Sequence, residues 1–157
     1  MTQQAQILHV PAESGPTYWG PGDRYTFLVT GAQSGGAYCI VDVRVAFGGG
    51  PPPHIHERED ESFYLLEGSL TMTIGDQALE VAAGDFVQVP RGIAHTFTNT
   101  SAGMARMLAF FSPAGMEHWF TEAFDPAPDR VSTPPPPTPE MIARMIAAAP
   151  HNGVVFV

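Results

Sequence analysis

The sequence predicts an all-β chain of short antiparallel strands closed into a barrel or sandwich. Three observations carry this. Strand-prone runs recur with a turn signal roughly every 8–12 residues. Sixteen glycines and sixteen prolines supply those turns. In the run AYCIVDVRVAF, Val41, Val43 and Val45 alternate with Asp42, Arg44 and Ala46, the period-two pattern of a strand with one buried and one wet face.

Residues 1–24, with the stretch PAESGPTYWGPGD, read as an arm over the barrel, anchored by Tyr18 and Trp19 through burial or at a subunit contact. RYTFLVT (24–30) reads as the first barrel strand, GAQSGG as a turn, and residues 37–47 as a longer strand. GGGPPP then breaks the pattern, because proline fixes φ and removes a backbone donor. Residues 61–67 and 69–74 form a hairpin about Gly68, with Leu70, Met72 and Ile74 on one face. Residues 77–81, 86–89, 94–99 and 104–112 supply four more strands. The barrel is thus expected over 25–112, within one domain spanning 1–157.

The tail, 113–157, changes character. GMEHWFTEAF has helical spacing, with Met116, Trp119, Phe120 and Ala123 on one face. DPAPDRVSTPPPPTP reads as extended and polyproline-like. Thr138 is an expected N-cap for a helix over 140–149, with Pro139 at its first position. VVFV closes the chain.

Composition narrows the function classes. Seven Lys and Arg against sixteen Asp and Glu give a net charge of −9, which argues against nucleic acid and anionic membrane surfaces as partners. At 44% hydrophobic and 15% charged, the chain has the material for a core and is not expected to be disordered. Cys39 is the single cysteine, so no intrachain disulfide can form, and its apolar setting predicts a buried small hydrophobe. MTQQAQILHV lacks the basic and apolar regions of a signal peptide, and no run reaches the length of a membrane-spanning helix; a cytoplasmic protein is the expectation.

The chemistry concentrates in GGGPPPHIHEREDESFYLLEG, residues 48–68. His54 and His56, two apart on a strand, project from one face. Glu61 opens the next strand, and His95 opens another beyond the Pro90-Arg91-Gly92 turn. Three imidazoles and one carboxylate from these segments can converge on a divalent transition metal ion. That mixed nitrogen and oxygen set suits Fe, Ni, Co, Mn or Zn. Alternation places Phe63 and Leu65 with Glu61, and Phe97 with His95, as candidate substrate contacts; Met72 and Phe111 join them. His9, His118 and His151 are expected at the surface or in helix packing, with His118 the one placed to cap the barrel mouth.

These residues resemble the cupin superfamily. Its first motif falls on Gly48, His54, His56, Glu61 and Gly68, and its second on Gly84, Pro90, Gly92, His95 and Asn99, with every defining spacing matched. Asp60 fits the shorter family spacing from His56 but misses that to Gly68, so Glu61 is chosen, and Glu57, Glu59 and Asp60 are expected to be solvated. The resemblance implies a cupin double-stranded β-helix, or jelly roll, with His54, His56, Glu61 and His95 as ligands, and commonly a homodimer. The two motif runs and the Pro-rich tail look like single-domain quercetin 2,3-dioxygenase-type cupins. That likeness implies a metal-dependent dioxygenase acting with O2 on a flavonol or similar enolisable aromatic, with Glu61 as both ligand and general base. Two other readings stay open: a cupin isomerase, lyase or cyclase, and a non-enzymatic module that binds a small molecule.

Overall fold

The computed structural model describes residues 7–157; the first six positions of the expected arm lie outside the described residues. Twelve strands and three α-helices follow in chain order. They are β1 (Thr17–Trp19), β2 (Arg24–Val29), α1 (Gly31–Ser34), β3 (Cys39–Val45), β4 (His54–His56), β5 (Asp60–Glu67), β6 (Ser69–Ile74) and β7 (Gln77–Ala82). Then come β8 (Phe86–Val89), β9 (His95–Asn99), β10 (Ala105–Ser112), α2 (Met116–Ala123), β11 (Asp125–Pro126), α3 (Pro139–Ala148), a 3-10 turn (Pro150–Asn152) and β12 (Val154–Phe156). The strands form two antiparallel sheets, ordered β11-β1-β2-β3-β10-β5-β8 and β12-β4-β9-β6-β7. Two such sheets facing each other make the jelly roll that the cupin resemblance implies.

The core lies between the sheets. Val41, Val43 and Val45 of β3, Phe63 and Leu65 of β5, Leu70 and Met72 of β6, and Met107 and Phe111 of β10 are all buried. Each such side chain removed from water contributes roughly 1.5–3 kcal/mol before entropy is counted. α2 and α3 close one side: Trp119 donates its indole N–H to the Met145 carbonyl at 3.2 Å. The Thr138 hydroxyl caps α3 by accepting from the Met141 N–H at 3.2 Å. No helix among the described residues is long and apolar enough to cross a membrane.

Several expectations change. The supposed arm contains β1, which pairs with β2 and β11 and so belongs to the larger sheet. The GAQSGG turn includes the single helical turn α1, and the strands on either side of Gly68 do not pair as a hairpin: β5 pairs with β10 and β8, and β6 with β7 and β9 in the other sheet. The Asp42 face of β3 is not wet. Asp42 is 4% exposed and takes Arg106 at 2.8 Å and Arg130, from the Pro-rich tail, at 2.7 Å. A buried carboxylate needs such partners, and these tie the tail to the outside of the barrel. VVFV, assigned no element from sequence, becomes β12 and pairs with the strand that carries His54 and His56.

Candidate metal centre

The centre bridges the two sheets. His54 and His56 come from β4 and His95 from β9, all in the smaller sheet; Glu61 comes from β5 in the larger. The β4–β9 pairing sets His54 directly opposite His95. The route into β4 depends on Gly50, whose φ is +146° and whose missing Cβ would fall 1.9 Å from the Phe97 carbonyl oxygen. Only glycine fits so close to another backbone. At the other end, Gly92, with φ +83°, donates its N–H to the His56 carbonyl at 2.8 Å. The Pro90-Arg91-Gly92 turn is therefore anchored to β4. Asp60 fixes the same turn by accepting from the Arg91 backbone N–H at 3.0 Å and from its guanidinium. Asn99 ends β9 with its amide given to the carbonyls of Val45 and Gly103, which explains a buried polar residue at that place.

One ligand atom from each of His54, His56, Glu61 and His95 can be chosen so that all lie within 4.8 Å of one another, and all four residues are buried. The tautomers are set by the backbone. Nδ1 of His54 faces the Pro52 carbonyl at 2.9 Å, and Nδ1 of His95 faces the Ile93 carbonyl at 3.0 Å. A carbonyl only accepts, so each Nδ1 carries the proton and each Nε2 is turned toward the centre. Nε2 of His56 and of His95 lie 3.0 and 2.9 Å from the same oxygen of Glu61.

Electrostatics agree with a cation site. Burial pushes the His54 pKa down to about 4, against the pull of Glu61, so its imidazole is neutral at pH 7. Burial alone would raise Glu61, but the charges and hydrogen bonds of His56 and His95 outweigh it and hold the carboxyl well below its usual range. For His95, burial lowers the pKa and the hydrogen bond to Glu61 raises it, with a net rise. A neutral His54 imidazole beside an ionised Glu61 is a pairing a divalent ion requires.

A cavity of about 50 Å³ opens beside this cluster. Phe63, Phe97 and Phe111 line it, together with Tyr25, Trp119 and Phe120. Leu65 and Met72, at 1% and 0% exposure, sit in the core and are not among its lining residues. α2 turns Met116, Trp119 and Phe120 inward and leaves His118 exposed, so the helix caps the barrel with apolar groups. His9 is exposed, and exposed His151 pairs with Glu122 at 2.7 Å.

Glu59 departs from its expected solvation. It is 3% exposed, its Oε2 has no hydrogen-bond partner among the described residues, and burial raises its pKa against the pull of His56. Nδ1 of His56 is likewise buried and without a partner among the described residues. Tyr25 of β2 also lines the cavity and its hydroxyl reaches Asp23; neither residue carries a motif, so only the folded chain brings them to notice.

Two facing antiparallel sheets with a His₃Glu cluster between them define a cupin, and residues 41–111 match the cupin domain family. The chain is a cupin that resembles the quercetin 2,3-dioxygenase type. It is 31% identical over 117 residues to quercetin 2,3-dioxygenase from Aspergillus japonicus, covering 70% of this chain and 33% of that protein. The quercetin 2,3-dioxygenase of Bacillus subtilis is 30% identical over 117 residues, covering 68% of this chain and 34% of that protein. The chain therefore spans about a third of these relatives' length. Among solved structures, an RmlC-like cupin from Shewanella frigidimarina superposes with a TM-score of 0.61 at 20% identity, covering 74% of this chain and 98% of that one, a likeness of fold.

Proposed function

We propose that this protein is a metal-dependent dioxygenase that cleaves a flavonol or a similar enolisable aromatic with O2. The observation that carries this reading is a buried three-His, one-Glu cluster facing a cavity walled by phenylalanine and tryptophan. A divalent ion held there by His54, His56, Glu61 and His95 would supply a Lewis acid for the substrate's oxygen. Two relatives named as quercetin 2,3-dioxygenases support the substrate class.

The chain's own residues have definable work in such a reaction. His54 and His95 are oriented by backbone carbonyls before anything binds. Glu61 is the one carboxylate lining the cavity among the described residues. It would accept the proton of the substrate hydroxyl, leaving the electron pair on the substrate oxygen. Phe63, Phe97, Phe111 and Trp119 exclude water and offer faces for a planar ring.

Small-molecule pockets usually measure roughly 300 Å³ or more, well above the cavity here, so a ring-sized substrate requires the cavity to widen. Self-association forms part of the same proposal. Tyr64 and Phe86 are paired across β5 and β8 and are exposed at 39% and 60% on the larger sheet's outer face.

The test is oxygen uptake by metal-reconstituted protein with a panel of flavonols and related enols. Uptake with substrate loss supports the reading. Turnover under strict anoxia would instead indicate an isomerase, lyase or cyclase, and saturable binding without turnover a binding module.

A further inference from the structure

The polar groups of the cavity are few. Apart from the ligand residues and Trp119, whose N–H is given to Met145, its lining offers one polar side chain, Tyr25. Tyr25 lies on β2 of the larger sheet, while the three histidines lie on the smaller. Its ring is tightly fixed. Phe124 stacks on it at 5.2 Å and 7°, and Phe120 packs at 4.9 Å. Gly20 makes room for it, since a Cβ there would fall 2.7 Å from the Tyr25 ring. A ring held this firmly keeps its hydroxyl in one place.

Behind that hydroxyl sits Asp23, 4% exposed. One carboxyl oxygen of Asp23 accepts the Ala46 N–H at 3.2 Å. Among the described residues the other is reached only by the Tyr25 hydroxyl, at a long 3.4 Å. This contact is weak by geometry, so the phenol is incompletely committed and its oxygen lone pairs remain free to accept. Burial also pushes Asp23 up to about 7, as expected of a carboxyl with too few donors. A rigid phenol with spare capacity, on the wall opposite the three histidines, is built to meet a polar substituent of something bound between them.

We propose that Tyr25, positioned by Asp23, is a specificity-determining residue whose hydroxyl hydrogen-bonds a ring hydroxyl of the aromatic substrate, distinct from the oxygen engaged at the His/Glu cluster. This rests on the aromatic-substrate reading above and adds to it a preference for polyhydroxylated rings. Sites built to hydrogen-bond a substrate hydroxyl reject analogues that lack it, because the buried partner is then left unpaired.

The test uses two probes, quercetin and 3-hydroxyflavone, which share the enol but differ in ring hydroxyls. Binding to zinc-loaded protein is followed without oxygen by quenching of tryptophan fluorescence, since Trp119 lines the cavity. The wild type is expected to prefer quercetin. Tyr25→Phe should weaken quercetin binding about tenfold and leave 3-hydroxyflavone within about twofold, as loss of one hydrogen bond predicts. Metal content should stay unchanged, which shows that the isosteric variant has folded. Asp23→Asn should produce a smaller loss in the same direction. In oxygen-consuming assays the Tyr25→Phe effect should fall on KM for quercetin, with kcat retained.

An equal effect of Tyr25→Phe on both probes, or none on either, overturns the inference and leaves the aromatic-substrate reading standing. Failure of the wild type to bind either probe overturns both.

Discussion

His54 and His95 face each other directly across the β4–β9 pairing, their ring centroids 4.3 Å apart and both Nδ1 atoms turned to backbone carbonyls. The centre is thus oriented by the sheet itself. His54→Ala or His95→Ala should abolish stoichiometric binding of a divalent transition metal while the barrel still folds, because neither side chain is part of the apolar core. Elemental analysis beside circular dichroism checks both halves.

The C-terminal strand should matter to the same centre. Phe156 pairs with His54 and Val154 with His56, and Val154 is 1% exposed. Removing residues 154–157 leaves β4 as an unsupported edge. Outer supports of metal ligands typically govern affinity by 10–100-fold, so the truncated chain should lose about tenfold or more, measured by competition with a coloured chelator.

Gly50 should tolerate no side chain. Its φ of +146° is unfavourable for other residues, and a Cβ would overlap the Phe97 carbonyl. Gly50→Ala should cost about 3 kcal/mol or more, seen as a reduced urea midpoint or as failure to accumulate folded protein.

Asp23 should make stability fall with rising pH. Its pKa is raised from 3.8 to about 7 by burial, so the folded state holds the proton more tightly than the unfolded chain. The contribution is fully present below pH 3.8, declines between there and about 7, and is gone above. Its slope is at most about 1.4 kcal/mol per pH unit. Glu61, whose pKa is lowered, acts in the opposite sense, so the difference between wild type and Asp23→Asn is the quantity to measure. In urea unfolding, the wild type should lose ground to the variant as pH rises from 4.5 to 7.5.

Arg130 should stabilise through Asp42. With Arg130→Ala the buried carboxylate keeps Arg106 but loses its 2.7 Å partner. A hydrogen bond to a charged group is worth about 2 kcal/mol, and the Pro-rich tail should become more sensitive to protease because its tie to β3 is gone.

The sequence was informative where spacing is local. His54, His56 and Glu61 are separated by so few residues that alternation and a turn define their shared face, and His95 follows a Pro-x-Gly turn that marks the start of its strand. The amphipathic face of α2 could also be read, since Met116, Trp119, Phe120 and Ala123 are buried as their helical spacing predicts. What escaped depends on pairing between distant segments. Nothing local in VVFV says that it will seek β4, and nothing in RYTFLVT says that Tyr25 will point at Glu61's cavity. Glu57, Glu59 and Asp60 look equivalent in sequence. The turn after β4 exposes Glu57, buries Glu59 and gives Asp60 to Arg91. The wet face read into Asp42, Arg44 and Ala46 failed at Asp42 because Arg130, 88 residues away, comes back to cover it.

The most direct test of the central claim is metal content per chain after reconstitution and removal of excess ion, for the wild type and His54→Ala side by side. One equivalent of a divalent transition metal in the wild type, and near none in the variant, is the expected result. A wild type that holds no stoichiometric metal, or a variant that holds as much, would contradict it.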